Sequence, residues 1–244
     1  MKDKHSYTAH PVSPRWEAPG LVENFRTNSP NNVLMRYAQE LQKRRGIAAE
    51  PLRILDIGAG AGRNAVPLAQ LGFRVTCVDL SVPMIRAAQI KCQQEAPAEF
   101  VQLAISPMAP LPFRDQEFDL IIAHGIWNLS TSDAEFRSGV AEAARVAKPG
   151  ASLFLFTFSR HTIPDDAPSV AGEKYIFTQF GDEPQCFLRE EEIILELQKV
   201  GFSCDTTEPF TEYNCPPPPH NSVQHPPVIY ESTFTRSANH QILR

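Results

Sequence analysis

From residue 31 onward the apolar positions change period repeatedly, and each change marks an element. Val33, Leu34, Tyr37 and Leu41 recur at helical spacing and predict a helix that ends near Gly46. Leu52–Ile57 is a short apolar run closed by Gly58, a strand by length and punctuation. Arg63–Leu71 is helical, with Pro67 tolerated in the first turn and Gly72 as its cap. Strand Phe73–Val78, helix Pro83–Gln94 and strands Phe100–Leu103 and Phe118–Ala123 continue the rhythm. Ser132-Asp133-Ala134-Glu135 has the form of a capping box opening a helix to Val146. Lys148-Pro149-Gly150 ends that helix and leads into a fifth strand, Ser152–Phe158. Glu190–Val200 is an amphipathic helix stopped by Gly201, and strands near Phe202–Thr206 and at Val228–Thr235 follow. Strands alternating with helices at this spacing predict an α/β fold: a doubly wound, seven-stranded mixed sheet, mostly parallel and covered on both faces.

The flanks follow no such rhythm. Residues 1–30 are polar and punctuated by Pro11, Pro14, Pro19 and Pro30, with Tyr7, Trp16 and Phe25 as isolated aromatics, and read as an extended arm or lid, the alternative being a disordered tail. Residues 31–244 then form the domain, with a cover insertion at about 159–187. Among 244 residues 42% are apolar, enough for a core without staples. A net charge of −5 argues against a nucleic-acid partner. The longest apolar runs, Leu120–Ala123 and Leu153–Phe158, fall far below the ~20 residues of a spanning helix, so no membrane residence is expected. No apolar stretch follows Met1-Lys2-Asp3-Lys4-His5, so no secretory signal is visible. Cys77, Cys92, Cys186, Cys204 and Cys215 lack any pair-and-gap pattern, and read as reduced thiols of a cytoplasmic protein with no metal site. The 22 prolines gather at the N-terminus and in Cys215–Pro227, where they mark ends and loops.

The chemistry concentrates in Leu52-Arg53-Ile54-Leu55-Asp56-Ile57-Gly58-Ala59-Gly60-Ala61-Gly62-Arg63, a strand running into three alternating glycines and a helix. Glycines let the backbone turn tightly and approach a ligand, and unbonded N–H groups at a helix start favour anions. Asp79 ends the next strand, where a carboxylate accepts from ribose hydroxyls. A dinucleotide site wants G-x-G-x-x-G, yet here the sixth position is Arg63. Asp56, on the strand itself, would repel a pyrophosphate but suits an ammonium or sulfonium ligand. That favours S-adenosylmethionine over NAD(P), and leaves an oxidoreductase as the weaker alternative.

Residues 52–88 resemble motif I and the following strand of class I S-adenosylmethionine-dependent methyltransferases. Leu111-Pro112-Phe113-Arg114-Asp115-Gln116-Glu117-Phe118-Asp119-Leu120 is similar to the family's "LPFxDxxFDLV" run, and Ala144-Arg145-Val146-Ala147-Lys148-Pro149-Gly150 to its "RVLKPGG" turn. The likeness covers roughly residues 31–206 and is nearest to the small-molecule branch, methyltransferase type 11/12-like and distantly tellurite-resistance-like. It implies a Rossmann-like methyltransferase fold, with S-adenosyl-L-methionine as cofactor and S-adenosyl-L-homocysteine as product. By the same resemblance Gly58, Ala59 and Gly60 approach the methionyl part, Asp56 supports its ammonium, Asp79 binds the ribose, and Leu80 and Met84 pack near the adenine. Many relatives carry an Asp after the third strand for the adenine amino group. This chain has Ala104-Ile105-Ser106-Pro107 instead, leaving Ser106 or backbone groups.

His124 ends the fourth strand, where the resemblance lines the pocket beside the methyl group. It is the candidate general base by position and by its near-neutral ordinary pKa, the alternative being a pocket histidine with packing contacts only. Trp127 is a candidate acceptor wall, or else a core residue, and Asn128 a substrate contact or a helix cap. His220 and His225 flank a proline-stiffened loop with Tyr213 and Cys215 nearby; Tyr213 and His220 are candidate acceptor contacts, the alternative being surface loop residues, and a spacing of five between the two histidines is no metal signature. Arg36 and Tyr37 are candidates to reach the cofactor carboxylate, the alternative for Arg36 being solvent exposure. Asp165-Asp166 and Glu190-Glu191-Glu192 read as a solvated turn and as charges favoured at a helix start. The expected function is methyl transfer to a small-molecule acceptor by in-line displacement, in a monomer or homodimer. A non-catalytic cofactor-binding or partner module on the same fold is the alternative.

Overall fold

A computed structural model describes residues 12–46, 50–181, 183–205, 210–215 and 226–238. The alternation of strand and helix runs as expected through β1 (Arg53–Ile57), α3 (Ala65–Gln70), β2 (Arg74–Asp79), α4 (Val82–Glu95), β3 (Val101–Ile105), β4 (Phe118–His124), α5 (Asp133–Val146) and β5 (Ala147–Phe158). Before them come α1 (Pro19–Thr27) and α2 (Asn32–Arg45). After them come a two-residue hairpin, β6 (Ile176–Phe177) and β7 (Gln185–Cys186), then α6 (Glu190–Lys199), β8 (Phe202–Cys204), β9 (Thr211–Tyr213) and β10 (Ile229–Arg236).

Seven strands lie in the order β3-β2-β1-β4-β5-β10-β8. Pairs among β1 to β5 are parallel, while β10 runs antiparallel to β5 and β8. The mixed, mostly parallel sheet is therefore as the alternation predicts. The short β9, an eighth strand, pairs with the opening residues of β10 and has no counterpart in the sequence reading. The central strands β1, β4 and β5 are buried along most of their length, as parallel strands covered on both faces are, whereas β3 at the edge is half-exposed. Leu55, Ile57, Ile121 and Leu153 enter one core with α5 and α6 residues, and Ile54, Leu120, Ile122 and Phe154 the other with Leu34 and Tyr37 of α2.

Three local readings change. The described part of the arm is helical, with a 3-10 turn Pro14–Glu17 before α1, and a proline near the start of each fits the position where no amide donor is needed. Leu21, Val22 and Phe25 share the face that, with Trp16, packs on Ala61, Met84 and Ala87. The capping box is half made: Ser132 Oγ accepts from Glu135 N at 3.1 Å, but the Glu135 carboxylate accepts from Thr131 N at 2.7 Å. Lys148-Pro149-Gly150 lies inside β5, which starts directly at the end of α5.

The insertion is irregular, and its anchor is Arg160. Its two terminal nitrogens donate to the carbonyls of Ile163, Pro164, Asp165 and Ala167, and Phe177 lies 4.5 Å over the guanidinium.

Candidate active site

In an open parallel sheet the crevice lies beyond the carboxyl ends of the strands, where the order reverses. Here that point is between β1 and β4, and the glycine turn rises from it. Gly58 N and Ala59 N both donate to Val78 O, at 2.8 and 3.0 Å, which stitches the turn to β2. Gly58 holds φ +71°, and a Cβ there would stand 2.7 Å from Ile126 Cδ1, so both backbone and space demand glycine. Gly60 N donates to Asp79 Oδ2 at 2.8 Å and Ser81 N to Asp79 Oδ1 at 2.8 Å. The Asp79 carboxylate is thus aimed before any ligand arrives. Burial raises its pKa, and the amides of Ser81, Gly60 and Leu80 oppose that rise.

Asp56 is 1% exposed, and its Oδ2 meets no hydrogen-bond partner among the described residues. Burial pushes its pKa up to about 7; Arg63 pulls against this and Asp79 adds to it. A buried carboxylate oxygen without a donor is costly unless something supplies one. The turn therefore sets a buried, unsatisfied acceptor, Asp56, near a carboxylate that is already oriented, Asp79.

Four side chains that carry no candidate role in the sequence reading close the crevice. Asn31 caps α2, its Oδ1 accepting from Leu34 N at 3.0 Å. Its Nδ2 donates to Glu231 Oε2 at 2.6 Å and lies 3.2 Å from His124 Nε2, while Asn31 N donates to Asn64 Oδ1 at 3.0 Å. Arg63 Nη2 is nearly equidistant from His124 Nδ1 and Nε2, at 3.0 and 3.1 Å, which puts it over the ring and not in its plane. Phe156 stacks on the ring with centroids 4.0 Å apart, so the imidazole is held between a phenyl ring and a guanidinium. His124, Phe156 and Glu231 sit in one row across β4, β5 and β10, and Tyr213 OH donates to Glu231 Oε1 at 2.8 Å.

Burial and then the Arg63 charge push His124 down to about 3. The near-neutral pKa from which a general-base role was argued is therefore absent: the ring is neutral at physiological pH, and a base that weak is poorly matched to the task. His124 is a neutral hydrogen-bonding group in this geometry.

Asp56, Gly58, Ala59, Gly60, Asp79, Leu80 and Met84 cluster at the turn. Met84 Sδ and Phe25 of α1 flank the Gly60 Cβ position, at 3.9 and 3.3 Å. Ser106 N donates to Asp79 O, but Ser106 Oγ donates to its neighbour Pro107 O. Trp127 is a core residue, 2% exposed and edge-on to Phe136, with Gly139 beneath its indole nitrogen; this corrects its reading as an acceptor wall. Asn128 is buried. Tyr37 OH donates to Ser152 Oγ inside the core, and Arg36 is exposed. His220 and His225 lie outside the described residues.

A family model described as a methyltransferase domain matches residues 54–150. A demethylmenaquinone methyltransferase of Corynebacterium glutamicum is 33% identical over 167 residues, 62% of this chain and 67% of that one. Another, of Corynebacterium urealyticum, is 34% identical over 113 residues, 46% of this chain, and the match spans less than half of the relative's length, 44%. Among solved structures, the 1,6-didemethyltoxoflavin-N1-methyltransferase of Burkholderia thailandensis, with its substrate and S-adenosylhomocysteine bound, superposes with a TM-score of 0.58 at 19% identity. That likeness covers 93% of this chain and 92% of the other.

Proposed function

The chain belongs to the class I S-adenosylmethionine-dependent methyltransferase family, and we propose that it moves a methyl group to a small aromatic acceptor. The observation that carries this reading is the Asp56 carboxylate, buried without a donor beside a glycine turn whose next acid, Asp79, is already oriented. The residues fit the cofactor: Asp56 faces its ammonium, Asp79 its ribose hydroxyls, and Arg63 offers positive charge for its carboxylate. When bound, S-adenosylmethionine supplies a methyl group on a sulfonium, a leaving group already installed. The chain then has to align the acceptor and exclude water. Phe156, half-buried in β5, offers an apolar surface for a flat ring beside the neutral His124, and Glu231 with Tyr213 offers a hydrogen-bonding pair for a polar substituent. The curated relatives' acceptor, a demethylated menaquinone, is a molecule of this shape.

In the same reading the described residues of the arm, from 12 to 30, and of the insertion, 159–181 and 183–187, cover the site. Phe25 stands over Gly60, and Ser13 Oγ donates to Glu183 Oε1 at 2.7 Å, which ties arm to insertion. No helix among the described residues is long and apolar enough to cross a membrane. Five cysteines without disulfides support a reducing, cytoplasmic setting, and the net charge of −5 a substrate other than nucleic acid.

Calorimetric titration with S-adenosylmethionine and S-adenosylhomocysteine tests the cofactor site. Micromolar binding of both, lost in Asp79→Ala, is expected; no binding of either overturns the reading. Transfer of labelled methyl to a set of quinols and phenols then tests the acceptor class, which an exclusive preference for aliphatic amines would refute.

A further inference from the structure

On the opposite face of β9 from Tyr213, three side chains with metal-binding atoms come together from two distant parts of the chain. His161 lies in the 3-10 turn Arg160–Thr162 that follows β5. Glu212 is the middle residue of β9, and Cys215 follows two residues after that strand ends. The ligand atoms of the three all lie within 4.8 Å of one another. His161 Nδ1 is 2.8 Å from Glu212 Oε1, and Cys215 Sγ donates to Glu212 Oε2 at 3.1 Å. Ser159 Oγ donates to the same Oε1 at 2.6 Å and fixes the carboxylate from behind. Burial works against the Glu212 charge, but the bonds from Ser159, Cys215 and His161 outweigh it and hold the group below its ordinary range. Partial desolvation and the facing carboxylate push the thiol of Cys215, an exposed residue, up to about 11.

We infer that His161, Glu212 and Cys215 form a binding site for a divalent cation of the zinc class. One nitrogen, one sulfur and one carboxylate oxygen suit a borderline-soft ion, whereas calcium and magnesium take oxygen donors. Zinc bonds of about 2.0–2.3 Å make a tetrahedron with edges of about 3.4 Å. The two short separations, each to a different Glu212 oxygen, lengthen by a few tenths of an ångström to reach that edge, and the ligand atoms all lie within 4.8 Å of one another. A thiolate and a carboxylate balance the charge of the ion, a neutral imidazole is the third donor, and water completes the fourth position. Binding breaks the Cys215 S–H bond and releases its proton to solvent, so affinity rises with pH. Ser159 acts in the second layer, the usual means of orienting a carboxylate ligand.

The position matters because successive strand residues point to opposite faces. Glu212 would hold the ion while Tyr213, its neighbour, reaches Glu231 on the acceptor side. An ion joining the end of β5 to β9 therefore fixes the strand that presents Tyr213.

The test is titration of the full chain, freed of metal, with zinc sulfate alone, in parallel with Cys215→Ser and His161→Ala. Cobalt serves as the spectroscopic probe. One ion per chain is expected, with a near-ultraviolet thiolate-to-cobalt absorption and affinity at least tenfold weaker in each variant. At one zinc concentration the melting temperature of the wild type should rise more than that of either variant. No binding, binding retained in both variants, or cobalt bound without the thiolate absorption would each overturn the site. If either variant fails to fold in chelator, Glu212→Gln takes its place under the same criteria.

Discussion

Replacing Asp56 with asparagine separates what the residue costs the fold from what it gives the ligand. The carboxyl group moves from 3.8 to about 7 on folding, chiefly through burial. At about 1.4 kcal/mol per pH unit, this displacement is worth about 4 kcal/mol. Between those two values the native state keeps a proton that the unfolded chain has released, so this group makes stability fall as pH rises, and its full penalty is present above pH 7. His124 acts in the opposite sense. Its pKa falls from 6.5 to about 3, so the unfolded chain binds the extra proton and stability is lost as pH drops below 6.5. The two effects oppose each other in the wild type, but the His124 contribution is common to wild type and Asp56→Asn and cancels in their difference. Urea denaturation of both proteins, without cofactor, from pH 5 to pH 9 measures that difference. The advantage of the variant should grow by about 3 kcal/mol over this range, most of it by pH 7. In the same variant S-adenosylmethionine should bind at least tenfold more weakly, since a charge-assisted hydrogen bond is worth about 1.5–3 kcal/mol. A difference in stability that stays flat with pH would show that Asp56 is solvated or paired in the native state. Asp56 would then not be a buried carboxylate waiting for a donor.

Arg63→Gln should raise the His124 titration midpoint, followed by NMR of its ring protons, from about 3 part of the way toward 6.5, because burial remains as the larger cause; an unmoved midpoint removes Arg63 from the explanation. Gly58→Ala places a methyl group 2.7 Å from Ile126 at φ +71°, and should cost roughly 2–4 kcal/mol in denaturation while abolishing cofactor binding. Tyr213→Phe deletes the bond to Glu231 and should lower turnover with cofactor affinity unchanged within about twofold; a tenfold loss of cofactor affinity would put Tyr213 on the wrong side of the site. Trp127→Ala should cost about 3–5 kcal/mol and leave acceptor preference as it is, and a changed preference would return the residue to the pocket wall.

What the sequence disclosed and what it hid divide along the range of the interactions. The strand, glycine turn and helix at 52–71 are legible because each of their requirements is local: an apolar run, positive φ at Gly58, Gly60 and Gly62, and Asp56 at the end of a buried strand. The strand order reads almost as well, since alternating elements of this length leave few ways to wind a sheet. The polar side of the crevice depends on pairs 33, 61, 93 and 200 residues apart: Asn31 with Asn64, Arg63 with His124, and Asn31 with His124 and Glu231. None of these has a spacing to find. Each did leave a local oddity, however. Asn31 is a helix cap with more donors than a cap needs, and Glu231 is an ionisable residue in a strand that is otherwise apolar or hydroxylated on both faces until its final Arg236. Charged groups in such strands are rarely buried without a partner, so Glu231 should be read as one half of a contact whose other half lies elsewhere in the chain. The pKa of His124 shows the same limit from the other side. Its position at the end of β4 follows from the strand pattern, but its protonation state follows from Arg63 and Phe156 on either face of the ring, and only folding brings those together.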